Sequence, residues 1–335
     1  MNTGDHYHLS HYIPWTRFQI YKLLLISTIP AIIYACTGGK WFTMPWVPVA
    51  LLGTVTAFIS GFRNTQTYNR TWEARQIYGG IINQSRSFGI LVRSMVRADD
   101  PALEQDIHQR LIYRHIAWLT ALRFQLREVR SWEYIKKRRY NQEYQKRYYV
   151  VPEWQSDMGE ELKPFLPEEE RQYILARKNK ATQLLSRQSD ELRGLNEAGL
   201  LTDYNFVALE THLKDLYDQQ GRCERIKNFP YPRQYSSLNL FFTNLLCILI
   251  PFGMVQEFAK FGPEFVWLSI PFSTLLGWVF VALDMTGEAT ENPFEGSAND
   301  VPITQISRTI EIDLREMLGE TDLPPAIQPV NNIVL

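Results

Sequence analysis

Cysteine is scarce. Cys36, Cys223 and Cys247 stand far apart, and no CxxC pair is present. This spacing offers neither a disulfide framework nor a zinc site, and leaves the three as small core residues. An excess of one charge is missing too: 35 Lys and Arg balance 36 Asp and Glu for a net charge of -1. No global pull toward nucleic acid or anionic lipid follows, and charge carries information only where it is local. The chain also lacks GxxxxGK[ST], GxGxxG, HExxH and GxSxG. No enzyme, cofactor or metal is therefore expected. A cleavable leader is not expected either, because His6, His8, His11, Trp15 and Arg17 precede the first apolar run and no small-residue cleavage pattern follows it.

Long hydrophobic runs are what the chain does have. Residues 18–36 and 41–62 form one pair, joined by Thr37-Gly38-Gly39-Lys40. Residues 238–258 and 264–283 form another, joined by Ala259-Lys260-Phe261-Gly262-Pro263. Each run is about the length needed to cross roughly 30 Å of hydrocarbon. The short links predict two antiparallel hairpins, with Trp41 and Trp46 at the interface. Pro30, Pro48, Pro251 and Pro271 fall inside the runs, which a packed helical bundle tolerates. Arg17, Lys22, Arg63, Arg70 and Arg75 flank the open side of the first hairpin, and Arg225, Lys227 and Arg233 precede the second. The links carry only Lys40 and Lys260, so both termini and the middle are expected in the cytoplasm. The predicted fold is an all-α membrane protein with four transmembrane helices in two hairpins and a large cytoplasmic helical bundle. Its divisions are 1–17, 18–62, 63–237, 238–284 and 285–335. Core helices of a large soluble protein are the competing reading.

The middle has helical periodicity. In 107–126, Leu111, Ile112, Ile116, Leu119, Leu122 and Leu126 recur at three and four, predicting one buried face. His108 and His115 share that helix without a carboxylate at ligand spacing, and read as packed or surface histidines. Residues 123–147 hold nine basic residues against Glu128, Glu133 and Glu143, interleaved with aromatics. A basic helical face, solvated or near lipid headgroups, is favoured over a nucleic-acid site, so no nucleic-acid partner is expected. Further helices are predicted over 168–197, begun by Glu168-Glu169-Glu170 after Pro167, and over 202–226.

Several segments together resemble the bestrophin family of ion channels, above all its bacterial members. They are Gly61-Phe62-Arg63-Asn64, Tyr68-Asn69-Arg70-Thr71-Trp72-Glu73-Ala74-Arg75, Asn83-Gln84-Ser85-Arg86-Ser87, Ile116-Ala117-Trp118-Leu119, Cys223-Glu224-Arg225-Ile226, Glu291-Asn292-Pro293-Phe294 and Asn299-Asp300-Val301-Pro302. The resemblance runs from about residue 15 to 318. Thr71 stands where the family commonly has a tryptophan.

The resemblance implies a homopentamer around one central pore in a bacterial inner membrane, with monovalent ions and membrane lipids as its partners. The second span would line a hydrophobic neck. Thr54, Phe58 and Phe62 lie at i, i+4 and i+8 on one helix face, so five copies would stack rings that can close by expelling water. Thr54 departs from the aliphatic residue usual there and predicts a more wettable upper ring. A second constriction is expected upstream of Cys223, with Leu209, His212 and Leu213 as candidates. A lumen-facing His212 would couple conductance to acidity. The stretch Glu295–Asp300 has fewer carboxylates than the family's calcium-gated members, and a tight calcium site is not expected. The pore would pass chloride-type anions or sodium; the sequence leaves this open, as it does the facing of Arg63. A membrane-anchored scaffold that conducts nothing, or a secondary transporter, are the rival classes.

Overall fold

The computed structural model describes residues 1–38 and 44–335. Gly39, Lys40 and Trp41, which the sequence places in the first link and at the interface, lie outside the described residues. Eleven α-helices are present among the described residues: α1 Leu9–Thr37, α2 Trp46–Met95, α3 Pro101–Arg127, α4 Arg139–Tyr148, α5 Met158–Leu162, α6 Glu168–Leu175, α7 Lys180–Glu197, α8 Asp203–Asn228, α9 Arg233–Ala259, α10 Ser269–Ala289 and α11 Ile303–Met317. Extended pairing among them is limited to bridges of Ile333 with Asn2 and Val330.

Among the described residues, four helical segments are long and apolar enough to span a membrane: α1, α2, α9, and α10 with the 3₁₀ turn Pro263–Leu268 before it. Three start earlier or run longer than the apolar runs that announce them. Helix α9 begins at Arg233, because no breaker separates the apolar run from the polar residues before it, and α1 begins at Leu9 and runs through Pro14. Helix α2 continues without interruption for 50 residues. At 1.5 Å per residue it is about 75 Å long, more than twice the hydrocarbon thickness, so it must leave the bilayer as one rod.

The prolines sort into two kinds. Pro48 and Pro271 occupy the first turns of α2 and α10, where a missing N–H forfeits no intrahelical bond. Pro30 and Pro251 are interior and buried, so their freed carbonyls face packed neighbours. Close packing of the spans rests on small residues. A Cβ at Gly277 would stand 2.8 Å from Leu23 Cδ2.

Beyond the spans, the second half of α2 packs with α3, α7, α8 and α11 around a continuous apolar core that includes Phe88, Leu111, Trp118, Leu192 and Leu216. Both predicted histidines are buried there. His108 Nε2 lies 3.0 Å from the Val96 carbonyl, and His115 Nε2 lies 2.9 Å from Ser85 Oγ. Burial, with His212 nearby, pushes the His115 imidazole down to about 3.

Two helical expectations are corrected. The single helix over 168–197 is two, α6 and α7, because Asn179 caps the second by accepting from Thr182 N–H at 3.0 Å. The basic stretch 123–147 is not one solvated face. Helix α3 ends at Arg127, and Arg123 and Arg127 turn inward to Glu153 and Asp300, at 2.6 and 2.7 Å. Burial alone would raise the Glu153 carboxyl, but Arg127 and Arg123 outweigh it and hold that group below the usual carboxylate range.

Candidate functional site

The first half of α2 has a buried and an open side. Val49, Thr56, Ser60, Arg63 and Thr67 face the other spans. Thr54, Ala57, Phe58, Gly61, Phe62 and Thr65 are all exposed. Phe58 is 77% exposed and Phe62 48%. Large aromatic residues therefore alternate with small ones along one continuous stripe. Thr54 turns its hydroxyl back to the Ala50 carbonyl, 3.1 Å away, so its donor is spent within the helix.

What holds that face outward is a buried ionic network behind it. Arg63 is buried, and its guanidinium meets Asp284 of α10 at 2.5 Å and Glu291 at 3.1 Å. Asp284 also accepts from Asn239 Nδ2 at 2.6 Å, and Asn239 Oδ1 accepts from Ser60 at 2.7 Å. Glu291 is shared with Arg233 at 2.8 Å. Two guanidinium groups thus meet two carboxylates, which is what makes charge tolerable in a buried position. The facing of Arg63, open on sequence alone, is inward, away from the Phe58–Phe62 stripe.

Further along α2 and on α8, several residues of the segments that resemble the family hold a neighbouring element. Arg70 donates to the Ile226 and Phe229 carbonyls and so satisfies the C-terminal end of α8. Thr71 donates to the Thr290 carbonyl at 2.8 Å. Trp72 is exposed and stacks on Tyr68, while Glu73 pairs with Arg225. Arg75 is exposed beside Met1. Arg86 bonds Asp313 of α11 at 2.8 Å. Glu224 gathers the amides of Gln125, Asn179 and Gln220 at 2.8–3.0 Å.

The segment after α10 is folded in against α3. The Pro293 carbonyl accepts from Val301 N–H at 3.2 Å, and Phe294 is buried against Tyr78. Asn292 donates to Glu295 at 3.3 Å. Asp300 accepts from Arg127, from Gly296 N–H and from the Ser297 hydroxyl, at 2.7, 2.7 and 2.5 Å. Burial first, then Asp300, pushes the Glu295 carboxyl well above its usual range.

The three candidates on α8 are not brought to an open face. Leu209 and Leu213 are core residues, and His212 turns to α2, where its Nε2 lies 2.7 Å from the Gln84 carbonyl. The apolar face of an amphipathic helix packs on its own chain's core first, which is where Leu209 and Leu213 lie. The large apolar or aromatic residues that α8 does expose are Tyr204, Val207 at 61%, and Tyr217. An open cleft lined by Glu73, Gln76, Gln219, Arg222 and Arg225 joins the exposed sides of α2 and α8.

Sequence reasoning missed Asn239 and Asp284. A carboxylate at the end of an apolar run was the available signal, since such a group needs a partner.

A polytopic helical membrane protein results, in which one long helix carries an aromatic stripe through the bilayer and onward into a second, charged-rimmed core. The sequence pattern of the bacterial and fungal bestrophin proteins matches residues 14–316, and the chain belongs to that family. It is 28% identical over 310 residues to the voltage-dependent anion channel-forming protein YneE of Salmonella typhi, covering 92% of this chain and 88% of that one. The Escherichia coli K12 protein of the same name is 28% identical over 298 residues, covering 86% and 85%. Among solved structures, a bacterial bestrophin homologue from Klebsiella pneumoniae superposes with a TM-score of 0.75 at 27% identity, covering 91% of this chain and 98% of that one.

Proposed function

We propose that this chain forms an ion channel for small monovalent anions of the chloride type, as a homopentamer with α2 of each copy around one axis. The observation that carries the reading is the open face of α2. Exposed stripes on the other spans are bulky throughout, as at Leu24, Leu25 and Ile29 of α1 and Phe272, Leu275 and Val279 of α10. On α2 the exposed phenylalanines are separated by Ala57 and Gly61, which let neighbouring copies approach closely. The rings of Phe58 and Phe62 would then form a neck that wets and dries, with Thr54 above it. Their positive edges suit a passing anion. The names of the Salmonella and Escherichia relatives favour anions over sodium.

A second constriction is assigned to Val207, the exposed aliphatic residue of α8, in place of Leu209, His212 and Leu213. The reading includes an inner-membrane location, cytoplasmic termini and a cytoplasmic vestibule built from the second half of α2 with α3, α7, α8 and α11. It includes no calcium gate: with Arg127 and two further donors on Asp300, that carboxylate has little capacity left for a hard cation.

The test is purified protein in planar bilayers with asymmetric sodium chloride. A reversal potential on the chloride side supports the proposal, and one on the sodium side replaces the anion by the cation. Absence of current in the wild type and in both Phe58→Ala and Phe62→Ala would leave a non-conducting scaffold.

A further inference from the structure

The basic-aromatic stretch that the pore does not use ends in a cleft of about 400 Å³ between the start of α1 and α4. Trp15, Arg17, Tyr140, Glu143, Lys146 and Arg147 are among its lining residues. We propose that this cleft binds the phosphate headgroup of an anionic phospholipid.

Three observations meet here. The first is local charge. The chain as a whole carries -1, yet Arg17, Lys146 and Arg147 line the cleft with a single carboxylate, Glu143. Arg17 and Arg139 both reach Glu143, at 2.5 and 2.8 Å, and Lys146 and Arg147 stand exposed at the rim. A surplus of cations remains after that carboxylate is matched, which suits a phosphodiester carrying one negative charge.

The second is continuity with the bilayer. Ile13 and Tyr21 are exposed one turn either side of Arg17, and Leu24, Leu25 and Ile29 continue the same outward stripe of α1. An acyl chain lying along that stripe places its headgroup at Arg17. A free phosphate would gain nothing from the stripe.

The third is rigidity. Trp15 Nε1 donates to Asn141 Oδ1 at 2.9 Å and ties α4 to α1, while Tyr144 is buried beneath. Trp15, Tyr140 and Tyr148 at the same level are the amphipathic rings that favour the headgroup zone. Two arginines lie over aromatic rings here, Arg139 5.0 Å from the Phe18 centroid and Arg147 5.4 Å from that of Tyr148.

The proposal rests on α1 being a membrane span and not on ion conduction. Delipidated protein in neutral detergent, titrated with phosphatidylglycerol or phosphatidylcholine and read by native mass spectrometry, tests it. Phosphatidylglycerol is expected to be retained preferentially. In Lys146→Gln/Arg147→Gln that preference should fall roughly thirtyfold, from about fivefold for each cation near an anionic headgroup. Lys163→Gln/Lys178→Gln, the same charge removed elsewhere, should leave it in place.

Inorganic phosphate at millimolar concentration should not displace the lipid. Equal retention of the two lipids would overturn the proposal, as would equal loss in both double variants. Displacement by inorganic phosphate would make the cleft a general anion site and would equally overturn it. Melting temperatures of the variants in the same detergent separate loss of binding from loss of fold.

Discussion

At the scale of single residues, the side chains that matter divide into those left open and those enclosed. Phe58 and Phe62 are open, and if they form the proposed neck, truncating either to alanine should enlarge it and weaken its drying, raising single-channel conductance or open probability in planar bilayers. Arg63 is enclosed. Arg63→Gln leaves Asp284 and Glu291 short of a buried cation, which costs about 3–5 kcal/mol in comparable settings. A large fall in the detergent melting temperature is expected, with no change in ion selectivity in whatever fraction still assembles.

Glu295 runs the other way. Its folded-state pKa is raised, so the native form binds the proton more tightly than the unfolded chain does. The cost of ionising it is absent below the unfolded carboxyl range, near 4.3, and grows as pH rises from there toward the folded value. Glu295→Gln keeps an acceptor for Tyr134 N–H and Asn292 and removes the charge. The variant should melt higher than the parent at pH 8, by a margin that shrinks toward pH 4.

At the scale of elements, α2 and α8 show how a long helix organises what lies beside it. Helix α2 has no interior proline or helix-breaking gap between its first turn and Met95, so it delivers Arg70 and Arg86 to fixed heights beyond the spans. Arg70 then closes the C-terminal end of α8, whose last carbonyls have no partner within the helix. In Arg70→Gln those carbonyls lose a charged donor. About 1–3 kcal/mol should be lost, and limited proteolysis should first cut near Asn228–Pro232, where α8 gives way to α9. Helix α8 also shows what the position upstream of Cys223 left open: Leu209 and Leu213 repeat at four and mark the side turned to the chain's own core.

At the scale of the whole molecule, a charged cleft lies between the exposed sides of α2 and α8, and the proposed pathway along α2 would pass Val207, which is exposed, and not His212, which turns to Gln84. Val207→Ala should raise conductance, whereas His212→Ala should leave its pH dependence unaltered, both measured as single-channel current between pH 6 and 8.

Much of this was legible in the amino-acid order. Four apolar runs, two short links and the one-sided basic flanks are local properties, and the hydrocarbon thickness converts them into spans with little ambiguity. The face shared by Thr54, Phe58 and Phe62 follows from helical spacing, and the recurring segments pointed to the family. What required the tertiary structure was every choice between partners distant in sequence. Arg63 meets Asp284 and Glu291 more than 220 residues away, and Arg127 meets Asp300 at a separation of 173. A basic residue reads the same in sequence whether it ends in water or in a buried ion pair. Only packing decides which, because the desolvation cost is repaid only where a carboxylate from another helix arrives at hydrogen-bond distance. The same physics decided the register of α8: periodicity defines a stripe, and the neighbours determine whether that stripe faces core or open space.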